Sequence, residues 1–569
     1  MESVLIVSAC LIALSVAASA NSTEPPSGSW ARYELISTVE RKAPPVEDMT
    51  LTIGLIQKIG SKRYQWCEVA GNKPSGEHYA IRLLTERVPM TADKAPGTIK
   101  RYILREGDDQ PIEYIDSRTG APFLPKFEFT TGLLPATEPY LKARRDSFAC
   151  TGTYLGHVIA LAEAGVNREW SEWPAPTTIK LNPDDQHYMY GLARDAEGRY
   201  VKEEEDRDYS YVALTHKELD EIIDLGMNSF DVGDEAEEWV CRRPVFYYKK
   251  FGPDTKLKYP EILYRSNFRG AVCFIDEPES RILADRRDLD RTKEPEQGGF
   301  TLAKRLDEIW NTPAPGEWRR GLLREQLRAK GINLGTLALD DNDHPIWVTI
   351  YETSFYQLQG GAAGVVHEGR YQLPKYIDQC RQLLGKPVDL TPREMLLMHY
   401  AFLRGAARAF GKSWGISIYG QCDPKIAPEA ITLAYDMGAR YIWFWSYDHQ
   451  HHLPHFMKLE LLRHLAEHKA KHPRGSIEKI LNAPRTVIVL PYGYGYRVGS
   501  DRLWDSIYLD IDSKNDAGVP HRKVEAAAVA LGIACAKAGE DFDFTVDIGQ
   551  SFKGYNRVIK IGLDGQVLK

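Results

Sequence analysis

Residues 270–280 read GAVCFIDEPES. An apolar run ending at Ile275 meets Asp276, Glu277, Pro278 and Glu279, so three carboxylates fall within four residues. A short, continuous apolar run closed by polar residues is how a strand buried on both faces reads. The fold then turns on whether like runs flank it. MYGLA (189–193), NSFDV (228–232) and PVFYYKK (244–250) precede it, and PIWVTIYE (345–352), AGVVHE (363–368), SWGISIY (413–419) and ARYIWFW (439–445) follow. Helical patterns separate several of them, among them REMLLMHYAFLRGAARAFG (393–411) and PEAITLAYDMG (428–438). Thr215 and Glu218 have capping-box spacing ahead of LDEIIDLG, and Gly226 closes that segment. Eight buried strands alternating with helices predict an α/β protein with a central (β/α)8 TIM barrel over 185–475. The link SFYQLQGGA (354–362) is short for a full helix.

The flanks read differently. Residues 21–180 carry short β-type runs such as TLTIGLI (50–56), YAIRLLTE (79–86) and TIKRYILRE (98–106), broken by turn residues. They predict an N-terminal β-rich, sandwich-like domain, with one helical patch at YLGHVIALAEAG (154–165). Residues 480–569 offer RTVIVLPYGY (485–494), the helix RKVEAAAVALGIACAKAG (522–539), FDFTVD (542–547) and YNRVIKIG (555–562). That pattern predicts a small C-terminal α/β domain with parallel pairing. At the start, VLIVSACLIALSVA (4–17) followed by Ala18-Ser19-Ala20 reads as a signal peptide over 1–20. The mature chain is therefore expected to be secreted or periplasmic. No second long apolar run predicts a membrane span.

Composition removes several classes. A net charge of −7 without a basic stripe leaves no nucleic-acid footprint. The cysteines beyond Cys10 are odd in number and never paired as C-x-x-C, which excludes a disulfide scaffold and a zinc-finger framework. There is no G-x-S-x-G elbow, no dinucleotide fingerprint, and GYGYRVG (493–499) lacks the Lys-Ser/Thr of a phosphate loop. No cofactor and no metal are expected. His449, His451, His452 and His455 cluster in DHQHHLPH without metalloprotease spacing, and they read as a hydrogen-bonding rim.

In a parallel barrel the site lies at the C-terminal ends of the strands. Those ends deliver Asp231, Asp276, Glu277, Glu279, Glu352, Glu368, Arg370, Tyr419, Gln421, Trp443, Trp445, Tyr447, Asp448 and His449. Carboxylates around a Trp- and Tyr-lined crater are what glycoside cleavage needs, because one carboxyl donates a proton while a second attacks or stabilises an oxocarbenium-like centre. Crowding them together raises the pKa of one, which supplies the acid. Glu277 is the candidate acid/base, Glu368 or Glu352 the nucleophile or stabiliser, and Asp276 the orienting group. Trp443, Trp445 and Tyr447 are the expected sugar platform. Tyr419, Gln421, Asp448, His449 and Arg370 are candidate substrate contacts, the last two for polar substituents.

The strand-four ending resembles the catalytic stretch of clan A glycoside hydrolases, where Asn-Glu-Pro is typical and the Glu is the acid/base. Asp276 stands at the Asn and Glu277 at the Glu. WFWSYDH (443–449) resembles the aromatic strand-eight ending of that group. A barrel followed by a flavodoxin- or amidotransferase-like domain is similar to the β-galactosidases of glycoside hydrolase family 42, over about residues 185–569. The resemblance implies hydrolysis of an oligo- or polysaccharide, and self-association through the C-terminal domain. One departure is plain: the group places its nucleophilic Glu after strand seven, where this chain has ISIYGQCD (416–423). Asp276-Glu277 also resembles the adjacent Asp-Glu pair of families 20 and 123, hexosaminidases in which the substrate's acetamido group attacks. A third reading is a barrel that binds glycans without cleaving them.

Overall fold

The structure, a computed structural model, describes residues 27–28, 30–36, 48–72, 78–86, 98–125, 133–134, 151–154, 157–165, 168–189, 201–203, 211–249, 264–270, 275–276, 346–348, 354–445, 452–492 and 518–568. The chain folds as two units. The first comprises Met1–Asn182, Gly233–Ala271 and Pro315–Asp340, and the second Pro183–Val232, Val272–Ala314 and Asp341–Lys569.

The first unit is built on one ten-stranded sheet. Its centre is a meander of Asp48–Ile59, Lys62–Asn72, His78–Glu86 and Ile99–Glu106, each antiparallel to the next. Ile59 pairs with Lys62, so only Gly60 and Ser61 form the turn. Gly60 takes φ 60°, the left-handed geometry that lets a two-residue turn follow the strand twist. The helix expected at 154–165 is instead a strand, His157–Gly165, paired with both Thr151–Tyr154 and Trp30–Ile36. The segment is too short to be a stable helix alone, and ladders on both edges satisfy its backbone. In the same unit, Arg265 reaches Glu106 and Glu237, and Glu237 accepts a hydrogen bond from Tyr247.

The second unit carries a parallel sheet. Ser229–Val232, Gln186–Met189, Tyr441–Phe444, Ser413–Ile418, Gly364–Gly369, Ile346–Val348 and Ile275–Asp276 adjoin in that order, and every pair is parallel. The strand of this sheet that comes first in the sequence therefore lies between the second and the last. It begins at Gln186, three residues before the expected Met189, straight after the Pro183–Asp184 turn. Between strands, the helix His216–Asp224 opens with Thr215 accepting from the Glu218 amide while the Glu218 carboxylate accepts from the Thr215 amide. Gly226 follows at φ 105°. The helix Pro392–Phe410 repeats the device with Thr391 and Glu394, and Gly411 ends it at φ 62°. The link after Ile346–Val348 carries the one-and-a-half-turn helix Ser354–Gln359.

A second, smaller sheet in this unit orders Phe542–Val546, Thr486–Leu490, Arg557–Ile561 and Val567–Leu568. The first three are parallel and the last is antiparallel. The helix Pro392–Phe410 rests directly on it. A side chain at Gly405 would sit 1.9 Å from the Phe544 carbonyl oxygen, so only glycine allows this approach. Phe402 and Phe544 stack at 4.1 Å beside it. Asp543, with no exposure, lies between Arg404 Nε at 2.6 Å and Arg485 Nη1 at 3.2 Å. Both guanidiniums also hold Asp541. Burial works to raise the Asp541 carboxyl, but the two arginines outweigh it and hold it below its ordinary range.

Among the described residues no helix is long and apolar enough to cross a membrane. The described cysteines, Cys67, Cys241, Cys380, Cys422 and Cys535, are free and buried. Burial pushes the thiols of Cys67, Cys380 and Cys422 up to about 12, which leaves them protonated and inert.

Breaking the arginine clamp strands a buried charge, which typically costs about 3–5 kcal/mol. Arg404→Ala is expected to lower stability by that amount in chemical denaturation followed by tryptophan fluorescence. A loss under about 1 kcal/mol, the range of exposed pairs, would show that Asp543 is not held as described.

Candidate functional site

Three adjacent parallel strands converge on the candidate site. Glu368 pairs in register with Ser417, and Ser417 with Trp443. Alternate residues of a strand share a face, so Glu368, Ser417 and Trp443 form one rung. Two residues further on, just past the strand ends, Arg370, Tyr419 and Trp445 form the next. The ladder continues into it through Tyr419 N–H to Gly369 O at 3.3 Å and Trp445 N–H to Ile418 O at 3.0 Å. Gly369 is needed between the rungs, because a Cβ there would lie 2.0 Å from the Ser417 carbonyl oxygen.

Side chains tie the two rungs together. The Tyr419 hydroxyl donates to Glu368 Oε1 at 2.6 Å. Arg370 Nη2 stands 3.0 Å from Glu368 Oε2, with 13% and 5% of the two side chains exposed. The Arg370 guanidinium lies 4.6 Å over the Tyr419 ring. On the other side Trp445 stacks on Tyr419 at 5.0 Å and 8°. The result is a stack of Arg370, Tyr419 and Trp445, with the Glu368 carboxyl accepting from Tyr419 and ion-paired with Arg370.

The remaining sequence-predicted residues divide. Gln421 is half-buried and its carbonyl accepts from Gln372 Nε2 at 3.0 Å. Trp443 and Trp445 are 2% and 9% exposed, which leaves little indole surface for a sugar to stack on. Asp231 is buried in the strand Ser229–Val232. Asp276 ends the strand Ile275–Asp276, its backbone in register with Trp347. Glu277, Glu279, Glu352, Tyr447, Asp448, His449 and His451 lie outside the described residues. His452 and His455 are buried ahead of and at the start of the helix His455–Lys471. Among the described residues no group of three or more His, Cys, Asp or Glu is placed to hold a metal.

Sequence reasoning passed over a second cluster. His367, one residue before Glu368 and so on the opposite face, lies 5.3 Å from the ring of His399 on the helix Pro392–Phe410. Tyr371 and Tyr376 also pack against His399, at 5.4 and 5.0 Å. The signal was a histidine inside an otherwise apolar helical stripe, MLLMHYAFL (395–403). Burial, followed by neighbouring His367, pushes His399 well below its ordinary value. At the start of the sheet, His187 is likewise buried and pushed down to about 3, chiefly by desolvation. Its Nδ1–H donates to the Gly226 carbonyl at 2.9 Å.

No protein-family model matches this chain, and no curated protein is recognisably similar to it in sequence.

The two neutral histidines set an acid limit. Unfolded, each protonates near pH 6.5. Folded, each stays neutral to lower pH, so below about 6.5 the unfolded state binds more protons. Stability is complete above that pH and is lost on acidification at up to about 1.4 kcal/mol per pH unit for each histidine. Denaturation midpoints should therefore fall between about pH 6.5 and 5, and His399→Phe should flatten the fall. An unchanged slope in that variant would exclude His399 as a source.

Proposed function

We propose that this chain is an exported glycoside hydrolase with its carboxylates at the mouth of a (β/α)8 barrel. The observation that carries the reading is Glu368, a buried carboxylate at the end of a parallel strand, held by one arginine and one tyrosine hydroxyl. The barrel is supported by strand order. In the parallel sheet the first strand adjoins both the second and the last, as a sheet closing on itself requires. Glu277 then belongs at the end of strand four, as the acid that protonates the leaving oxygen while the glycosidic C–O bond breaks. Glu368 faces the anomeric centre as nucleophile or stabiliser, and Glu277 afterwards takes the proton of the incoming water. Asp276 orients the substrate. Export rests on the apolar leader at 4–17.

A glycan panel assayed with wild type, Glu277→Gln and Glu368→Gln tests this. Wild type should hydrolyse at least one member. Glu277→Gln should lose about 10²–10⁴-fold in kcat, and Glu368→Gln at least about 10²-fold, with unchanged near-UV circular dichroism. Hydrolysis that survives both substitutions undiminished overturns the reading. Binding by wild type without hydrolysis would make the chain a glycan-binding barrel.

A further inference from the structure

We infer that Arg370 and Tyr419 are positioning residues that aim the Glu368 carboxyl. The inference rests on the hydrolase reading above and deepens it, because it names the side chains that fix the direction of Glu368. The geometry behind it is specific. Tyr419 has both ring faces covered, by Trp445 at 5.0 Å and by the Arg370 guanidinium at 4.6 Å. Its hydroxyl can therefore leave the stack only in the ring plane, where it meets Glu368 Oε1 at 2.6 Å. Arg370 meets the other oxygen at 3.0 Å. Tyr419 thus meets one carboxyl oxygen and Arg370 the other, and the two come from different strand ends.

Trp445 acts through Tyr419 in this arrangement. It backs the ring and so fixes where the hydroxyl points, which gives an almost fully buried indole at a strand end a role other than sugar stacking.

The test uses the full chain and the best substrate from the panel, with Arg370→Ala, Arg370→Lys and Tyr419→Phe. Positioning predicts that Arg370→Ala lowers kcat about 10- to 100-fold, the scale of a misplaced catalytic group, with KM little changed. Guanidinium chloride at low, non-denaturing concentration should restore part of that loss, and Arg370→Lys should retain more activity than the alanine. Tyr419→Phe keeps the ring stack and removes only the hydroxyl, so it stays informative where Arg370→Ala fails to fold. It should also lower kcat selectively. An unaltered kcat in Tyr419→Phe, or losses that follow the melting temperature and show no guanidinium rescue, would overturn the inference while leaving the hydrolase reading intact. A wild type that cleaves no member of the panel would remove the hydrolase reading itself.

Discussion

The in-register pairing of Gly364–Gly369, Ser413–Ile418 and Tyr441–Phe444 is the constraint on which the candidate site depends. A slip of one residue in any of these strands would turn its side chains to the other face. Glu368 would then exchange places with His367, and Tyr419 with Ile418. In the observed register Glu368 shares a rung with Ser417 and Trp443, and Arg370, Tyr419 and Trp445 share the next. Gly369 keeps the backbones close enough for these rungs to meet. The carboxylate, its two donors and the stack behind them all follow from that alignment.

The second unit uses buried charge in two ways. Between the helix Pro392–Phe410 and the small sheet, Asp543 is enclosed by Arg404 and Arg485, and their remaining donors go to Asp541 and to backbone carbonyls. Such a cluster ties the helix Pro392–Phe410 to the small sheet. Around Glu368 the pairing is also tight, at the C-terminal end of the strand Gly364–Gly369. The histidines follow another rule. His187 and His399 are buried as neutral rings, so acid acts on this unit through their refusal to take a proton, before the carboxylates are titrated.

Much of the layout was legible beforehand. Apolar runs bounded by turn residues located the parallel strands within a few residues, because a strand buried on both faces has no polar alternation to obscure it. Thr215-x-x-Glu218, Thr391-x-x-Glu394, Gly226 and Gly411 marked helix ends through local hydrogen bonding and backbone geometry. The segment 154–165 misled, since its apolar spacing fits a helical period while one of its two strand partners lies more than a hundred residues away in Trp30–Ile36. Glu368, Arg370, Tyr419 and Trp445 were each named from their places at strand ends. Their mutual contacts were not, and Trp443 and Trp445, expected as a sugar platform, are 2% and 9% exposed.

Residue order by itself determined most strand and helix positions to within a few residues, which classes of chemistry lack their motifs, and which acidic and aromatic residues stand near strand ends. These are local properties, set by periodicity, capping and turn residues within a few positions of one another. Only the tertiary structure decided that Glu368 receives one donor from Tyr419 and another from Arg370, and that His399 lies behind it against His367. Those contacts depend on the register between strands some fifty residues apart and on a helix packed across them, and neither is encoded in the spacing of any single segment.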